Sequence, residues 1–360
     1  MKKTLRYILL FPFSFLYGTV VTLRNWLYDL ELLKQHTKQV PLLVVGNLTV
    51  GGTGKTPHIE FLIEQLQTEL RLAVLSRGYG RKTSGFRLVS PDATSVETGD
   101  EPLQLARKYP QLPVAVCENR SIGIDRLIQL YPETDLILLD DAFQHRRIKP
   151  GMSVLLTDFN RLHTRDSMLP GGTLREPVWG SRRASVMIVT KCPPDSSPID
   201  LRIIELELKP RPGQEVLFSC FTYDRLKPLF PDQQEKNTTI NSLSERSVLL
   251  LTGIASPQPI VNLLTEKSKE LSVMNFPDHH EFTRRDLHLA ETRFNEMNGA
   301  DKLIVVTEKD AVRISSNPHL SDSIKKHIFV LPVRVSMLND QTEVFTQKII
   351  DYVRENKRDL

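Results

Sequence analysis

The chain has 360 residues, 40% of them hydrophobic and 25% charged, an ordinary globular composition with enough length for two hydrophobic cores. A net charge of +4 is too small for charge alone to select a partner, so nucleic acid is not indicated. Three widely spaced cysteines, Cys117, Cys192 and Cys220, form no CxxC pair and leave one over, which argues against a disulfide framework or zinc site and for a reducing cytosol.

Residues 1–39 form a segment of their own. Lys2, Lys3 and Arg6 precede an uncharged run from Tyr7 to Leu23 that contains Pro12 and Gly18, followed by Arg24, Trp26 and Tyr28. A cleaved signal fits poorly, because 24 to 29 lacks a small-residue cleavage region. A spanning helix wants about 20 predominantly apolar residues, more than this run supplies. A membrane-associated helix lying in the interface fits better, with cations at both ends and aromatic residues at the boundary. A core helix of the first domain accounts for the segment equally well.

From 40 to 200, short apolar runs alternate with helical stretches: 41–47, 72–78, 113–119, 135–141, 153–158 and 185–191. Runs of this kind predict an α/β fold, a parallel sheet with helices on both faces. Ligands of such sheets bind at the carboxyl ends of the strands, where Asn47, Arg77, Glu118, Asp140, Asp158 and Lys191 fall.

The strongest chemical signal follows the first strand: Thr49, Val50, Gly51, Gly52, Thr53, Gly54, Lys55 and Thr56, leading into an amphipathic run from Ile59 to Leu70. A glycine-rich loop at a helix start can turn its amides onto phosphate oxygens. Lys55 would reach the β- and γ-phosphates of ATP, and the Thr56 hydroxyl would coordinate Mg²⁺. Thr49 stands where the usual pattern has glycine, but the strand-loop-helix context favours phosphate binding over an incidental turn. Asp140 ends an apolar strand; an aspartate there is common for plain turn reasons, yet beside a P-loop it becomes the metal-side acid.

Between 201 and 245, LRIIELELK and EVLFSCF read as an antiparallel pair, a β-ribbon linker that continues into a polar stretch around 231–239. A smaller second α/β domain is expected over 246–335, and a C-terminal helix over 336–360, packing back on the first domain.

Several segments together resemble the tetraacyldisaccharide 4′-kinase (lipid A 4′-kinase) family of the P-loop NTPases: VGNLTVGGTGKTPH (45–58), SRGYGR (76–81), GDEP (99–102), LDDAFQHRR (139–147), LPGGTLREP (169–177), FPDHHEF (276–282) and VTEKDAVR (306–313). The resemblance implies an enzyme of lipid A biosynthesis that moves the γ-phosphate of ATP to the 4′-hydroxyl of a tetraacylated glucosamine disaccharide 1-phosphate, giving lipid IVA. It implies catalysis by Asp100 with His279, and a metal set of Thr56, Asp140 and Glu101. Asn47, Tyr79, Arg120, Gln144, His145, Arg175 and Glu176 take substrate positions, with Arg120 and Arg175 facing the sugar phosphate. Without that pattern, Asp100 would be a helix cap and a histidine pair in a polar loop would be solvated. The expected setting is the cytoplasmic face of the bacterial inner membrane, peripheral or monotopic. The expected partners are a glycolipid substrate and a membrane surface, with no obligate protein partner evident.

A P-loop GTPase or metallochaperone would share the loop but should carry an NKxD-type segment or a cysteine metal site; Thr190-Lys191-Cys192 is only a faint echo. A non-catalytic, membrane-bound nucleotide sensor is the other alternative.

Overall fold

The computed structural model describes residues 2–358 apart from 224, 231–237 and 300, with backbone alone at 2–8 and 358. The cationic side chains of Lys2, Lys3 and Arg6 and most of the polar 231–239 stretch therefore lie outside the described residues.

The apolar runs become strands β1 (Leu42–Asn47), β2 (Leu72–Ser76), β3 (Arg87–Leu88), β4 (Val114–Val116), β5 (Leu136–Asp140), β6 (Met152–Asp158), β7 (Val186–Thr190) and β8 (Glu215–Thr222). Strands β9 (Arg225–Pro228), β10 (Thr238–Thr239), β11 (Ser247–Thr252), β12 (Glu270–Asn275), β13 (Lys302–Thr307) and β14 (Ile328–Leu331) build a second sheet, and β15 (Arg334–Met337) returns to the first. The first sheet has the order β15-β8-β7-β6-β1-β5-β2-β4-β3, parallel from β8 to β4 with an antiparallel strand at each edge. The second has the order β10-β9-β14-β13-β11-β12, parallel over β11 to β14.

Successive side chains of a strand face opposite sides, and β1 shows why its run had to be apolar throughout. Leu43 and Val45 pack in one core, Leu42 and Val44 in the other. The first core is closed by the helix Lys55–Leu66 and by the carboxy-terminal helix Thr342–Arg358, which contributes Phe345, Ile349, Ile350 and Val353. Tyr352 anchors that helix by donating to the Leu42 carbonyl at 3.2 Å. The opposite core is closed by helices Arg120–Leu130 and Pro198–Leu208. Since β5 and β6 flank β1, the chain order reverses around β1, and the loop after it opens into the crevice where such sheets bind ligands.

The ribbon expected over 201–245 is not formed. LRIIELELK lies in the helix Pro198–Leu208, capped by Ser197, whose Oγ accepts from Asp200 N, and it buries Leu201, Ile204 and Leu208 at helical spacing. Its apolar residues satisfy both a period of 2 and one of 3.6, and the cap and Pro198 at the first turn decide for helix. The EVLFSCF strand, β8, pairs in parallel with β7 inside the first sheet. Among the described residues of 201–245, only β9 and β10 pair antiparallel with each other, and they belong to the second sheet. Likewise β15 straddles the boundary at 335/336 between the spans given to the second domain and the C-terminal helix, and it pairs with β8.

The amino-terminal helix Lys2–Asp29 docks by a narrow strip. Ser14, Val21, Asn25 and Tyr28 are buried, whereas Leu9, Phe13, Phe15, Leu16, Val20, Leu23 and Trp26 are exposed. A core helix would bury that face, so the core-helix alternative is not what the chain adopts. No helix among the described residues is long and apolar enough to cross a membrane.

Candidate active site

The P-loop is held from outside by its carbonyls. Val50 O accepts from Arg161 Nη2 at 3.1 Å, Gly51 O from Thr53 N at 2.9 Å, Gly52 O from Lys191 Nζ at 2.5 Å, and Thr53 O from Thr190 Oγ1 at 2.9 Å. The Val50, Gly52 and Thr53 oxygens are thus drawn away from the loop, and although the Val50 and Thr53 N–H groups are spent on Thr173 O and Gly51 O, the amides at the helix start are left for the cavity side. Gly54 has φ of +88°, and a Cβ there would lie 2.6 Å from the Phe221 ring, so glycine is required on both counts. Lys55 and Thr56 open the following helix, whose first amides have no partner within it. Pro57 in that first turn costs no hydrogen bond. Gly52 to Thr56 line a cavity of about 200 Å³ whose other walls are Phe221, Tyr223, Ile254, Ile260, Glu101 and Lys309.

Three carboxylates, Asp140, Asp141 and Glu101, lie near enough to one another for their charges to interact. Asp140, at the end of β5, is buried and accepts from Ser76 Oγ at 3.0 Å through Oδ2, while Oδ1 has no partner. Burial, reinforced by the charges of Glu101 and Asp141, pushes its carboxyl up to about 7. For Asp141, burial pushes upward too, but Lys55 and Arg175 outweigh it and the group is held below the ordinary carboxylate range. Lys55 Nζ stands 3.8 Å from Asp141 and Arg175 Nη2 2.8 Å. Asp141 was not singled out from the sequence, although it stands next to Asp140 in LDDAFQHRR.

Asp100 and His279, 179 positions apart, meet with Nδ1 at 3.0 Å from Oδ2. Asp100 begins the helix Asp100–Lys108 behind Gly99, whose φ of +89° and close approach to Tyr79 O exclude a side chain. His279 sits in the loop after β12 with φ of +60°. A carboxylate only accepts, so Nδ1 carries the proton and Nε2 is the basic end, 3.0 Å from Lys309 Nζ. Lys309 also binds Asp278 at 3.0 Å. Burial tends to raise the Asp100 carboxyl, but hydrogen bonds from His279 and Arg313 overcome it and hold the group at about 2. Lys309 and Arg313, both in VTEKDAVR, were quoted for the resemblance without being given a role.

The remaining candidates divide. Arg175 donates to Asn47, whose carbonyl also accepts from Gln144 at 2.8 Å, so these three stand together beside Asp141. Tyr79 is 71% exposed, with its ring 5.5 Å from that of His279. His145 lines a cavity of about 380 Å³ with Arg24, Arg120, Arg146 and Arg147, and burial followed by the charges of Arg120 and Arg77 pushes its ring down to about 4. Arg120 is only 2% exposed and donates to the carbonyls of Cys117 and Asp140 at 2.6 and 3.1 Å, which ties the segment after β4 to the end of β5, while its Nε has no partner. Glu176 departs from expectation. It is 0% exposed, accepts from Asn25 at 2.8 Å and Arg183 at 2.9 Å, and so fastens the amino-terminal helix rather than facing a substrate.

Nearly the whole chain matches known proteins. The family model for LpxK, tetraacyldisaccharide-1-P 4'-kinase, matches residues 6–354. The tetraacyldisaccharide 4'-kinase of Bacteroides thetaiotaomicron is 47% identical over 97% of this chain and 94% of its own length. That of Flavobacterium psychrophilum is 42% identical, with 96% and 97% covered. The crystal structure of the "apo" form of LpxK from Aquifex aeolicus in complex with ATP superposes with a TM-score of 0.73 at 26% identity, covering 98% of this chain and 100% of that one. The chain belongs to the tetraacyldisaccharide-1-P 4'-kinase family.

Proposed function

We propose that the protein transfers the γ-phosphoryl group of ATP to the 4′-hydroxyl of tetraacyldisaccharide 1-phosphate, giving lipid IVA. The observation that carries it is the shared cavity: Lys55 and Thr56 line it from the P-loop side, and Lys309 lines it from the second sheet while touching His279 Nε2 at 3.0 Å. A phosphoryl group held by the P-loop is thereby brought next to a base.

Phosphoryl transfer asks a protein mainly for position and for charge on the transferring group. Loop amides and Lys55 bind the phosphates. His279 Nε2 takes the proton of the attacking hydroxyl, and Asp100, ionised throughout the working pH range, keeps Nδ1–H on the far side of the ring. Lys309 must leave Nε2 before a hydroxyl can use it, and the incoming phosphate is the anion that draws it away. Arg175, Asn47, Gln144, Tyr79 and His145 form the acceptor side.

The residues fit Mg²⁺. Asp140 Oδ1 is a buried acceptor without a partner, and Glu101 is near enough to repel it. Mg²⁺ takes one or two carboxylates with waters and phosphates, so Thr56, Asp140 and Glu101 would hold it together with the nucleotide; among the described residues no trio of His, Cys, Asp or Glu forms a site unaided. When bound, Mg²⁺ neutralises charge on the β- and γ-phosphates. The exposed apolar side of the amino-terminal helix supports a peripheral position on the cytoplasmic face of the inner membrane, where an acylated acceptor resides.

Labelled ATP with the tetraacyldisaccharide 1-phosphate acceptor, resolved by thin-layer chromatography, tests the assignment. Label in the lipid, absent with Lys55→Ala, supports it. Nucleotide binding without lipid labelling supports the sensor alternative.

A further inference from the structure

Gly54 is the one carbonyl of the P-loop held by an imidazole. His58 Nδ1 lies 2.8 Å from Gly54 O, and the same oxygen accepts the His58 backbone N–H at 3.2 Å. His58 Nε2 lies 3.0 Å from Ser219 Oγ on β8, and the ring is 1% exposed. A carbonyl only accepts, so Nδ1 carries the proton. No carboxylate is hydrogen-bonded to this buried ring, so it is neutral and Nε2 accepts from the Ser219 hydroxyl. The chain Ser219 O–H to His58 to Gly54 C=O thus has a single direction.

In a planar trans peptide the C=O of one residue and the N–H of the next point to opposite sides. Pinning the Gly54 oxygen against the His58 ring therefore turns the Lys55 N–H away from the ring, toward the cavity that Lys55 and Thr56 line. The contact reaches further. Two residues beyond Ser219, Phe221 packs against Gly54 and against the His58 ring at 6.2 Å, Tyr223 follows as a wall of the same cavity, and the chain then enters β9 of the second sheet.

We infer that His58 is a positioning residue for the nucleotide: with Ser219 it sets the Gly54–Lys55 peptide for phosphate binding and ties the P-loop to the strand that crosses into the second sheet. The inference rests on the assignment of ATP to this loop, and nothing in the GGTGKT pattern requires a histidine at this point.

The experiment compares Ser219→Ala, His58→Leu, His58→Asn and the double variant His58→Leu/Ser219→Ala, reading KM for ATP, KM for acceptor and kcat. His58→Leu should raise KM for ATP about three- to tenfold, the range for losing a buried neutral hydrogen bond, while KM for acceptor and kcat stay within about twofold. Asparagine places a donor close to the Nδ1 position, so His58→Asn should recover most of the ATP affinity. Ser219→Ala should cause a smaller rise that adds nothing to the His58→Leu effect. Equal KM for ATP in wild type and folded His58→Leu overturns the inference, as does a fall in kcat with KM unchanged. If His58→Leu does not fold, an unchanged KM in Ser219→Ala overturns it alone. Direct binding of a fluorescent ATP analogue gives the same comparison without turnover, so failure of the kinase assignment and failure of this inference are told apart.

Discussion

Arg313 Nη2 lies 2.6 Å from Asp100 Oδ2, joining the helix after β13 to the helix that begins at Asp100, across the boundary between the two sheets. Arg313 Nε adds a second bond at 3.1 Å, and both groups are largely buried. Asp100 therefore has two roles at once, orienting His279 and fastening the sheets together. Arg313→Met should disturb the first through the second. Loss of one partner from a buried charge pair removes about 3–5 kcal/mol when the site stays dry; the opening cavity lets water in, so the lower end is expected. A thermal melt checks this, together with kcat falling more than nucleotide affinity. A melt and kcat that both match wild type would show the pair to be incidental.

Asp140 gives a pH dependence whose sign is opposite to that of an ordinary paired carboxylate. Its folded value is raised to about 7, above the usual unfolded value near 4. The folded state thus binds more protons between these limits, and stability falls as pH rises from about 4 to 7, with the full loss present above 7. Asp140→Asn removes the buried charge. The nucleotide-free variant should melt higher than wild type at pH 8, the difference shrinking as pH is lowered toward 4. A difference that stays constant with pH would mean that Asp140 is not titrating in this window.

How much of this was legible follows from how local each signal is. The P-loop was readable because a strand, a glycine turn and a helix start are consecutive in sequence, as was Asp140 at a strand end. The helix Pro198–Leu208 was misread because its apolar residues fit two periods and the deciding cap, Ser197, lies four residues before the LRIIELELK pattern. The partners of Asp100 could not be read locally: Arg313 is 213 positions away and meets it only through tertiary packing. Glu176 shows the reverse limit. Its place in a motif pointed to substrate, but Asn25 and Arg183 claim it for fastening the amino-terminal helix, and no sequence pattern separates the two uses.

The amino-terminal helix can be tested without removing it. Deleting residues 1 to about 30 would strip Glu176 of Asn25 and confuse membrane binding with stability. Phe15 and Leu16 are exposed and away from the docking strip. Phe15→Asp/Leu16→Asp should leave the melting temperature unchanged and weaken flotation with anionic vesicles, since apolar area no longer enters the interface. Activity on a micellar acceptor should fall more than ATP binding. Unchanged flotation would show that this face does not meet lipid.

The sharpest test concerns the dyad, since Asp100 and His279 come from different sheets and act together only while these stay in contact. Nδ1–H of His279 faces the carboxylate at 3.0 Å, and Nε2 is the end left for a hydroxyl. Asp100→Ala frees the ring to take the wrong tautomer or orientation, and His279→Ala removes the base itself. Either change disables the same unit, so each should lower kcat by on the order of 10²- to 10⁴-fold, the range for a positioned general base. The double variant should be no worse than the weaker single one by more than a small factor. Asp100→Ala also frees Arg313, so His279→Ala is the cleaner arm, and Asp100→Asn, which keeps the size of the side chain, controls for the lost contact between the sheets. ATP affinity should change little in all of them, because Lys55, Thr56 and the loop amides remain. The measurement is a double-mutant cycle on kcat under saturating ATP and acceptor, repeated across pH. Multiplicative losses would show independent roles, with Asp100 serving the Arg313 bridge and His279 contacting substrate alone.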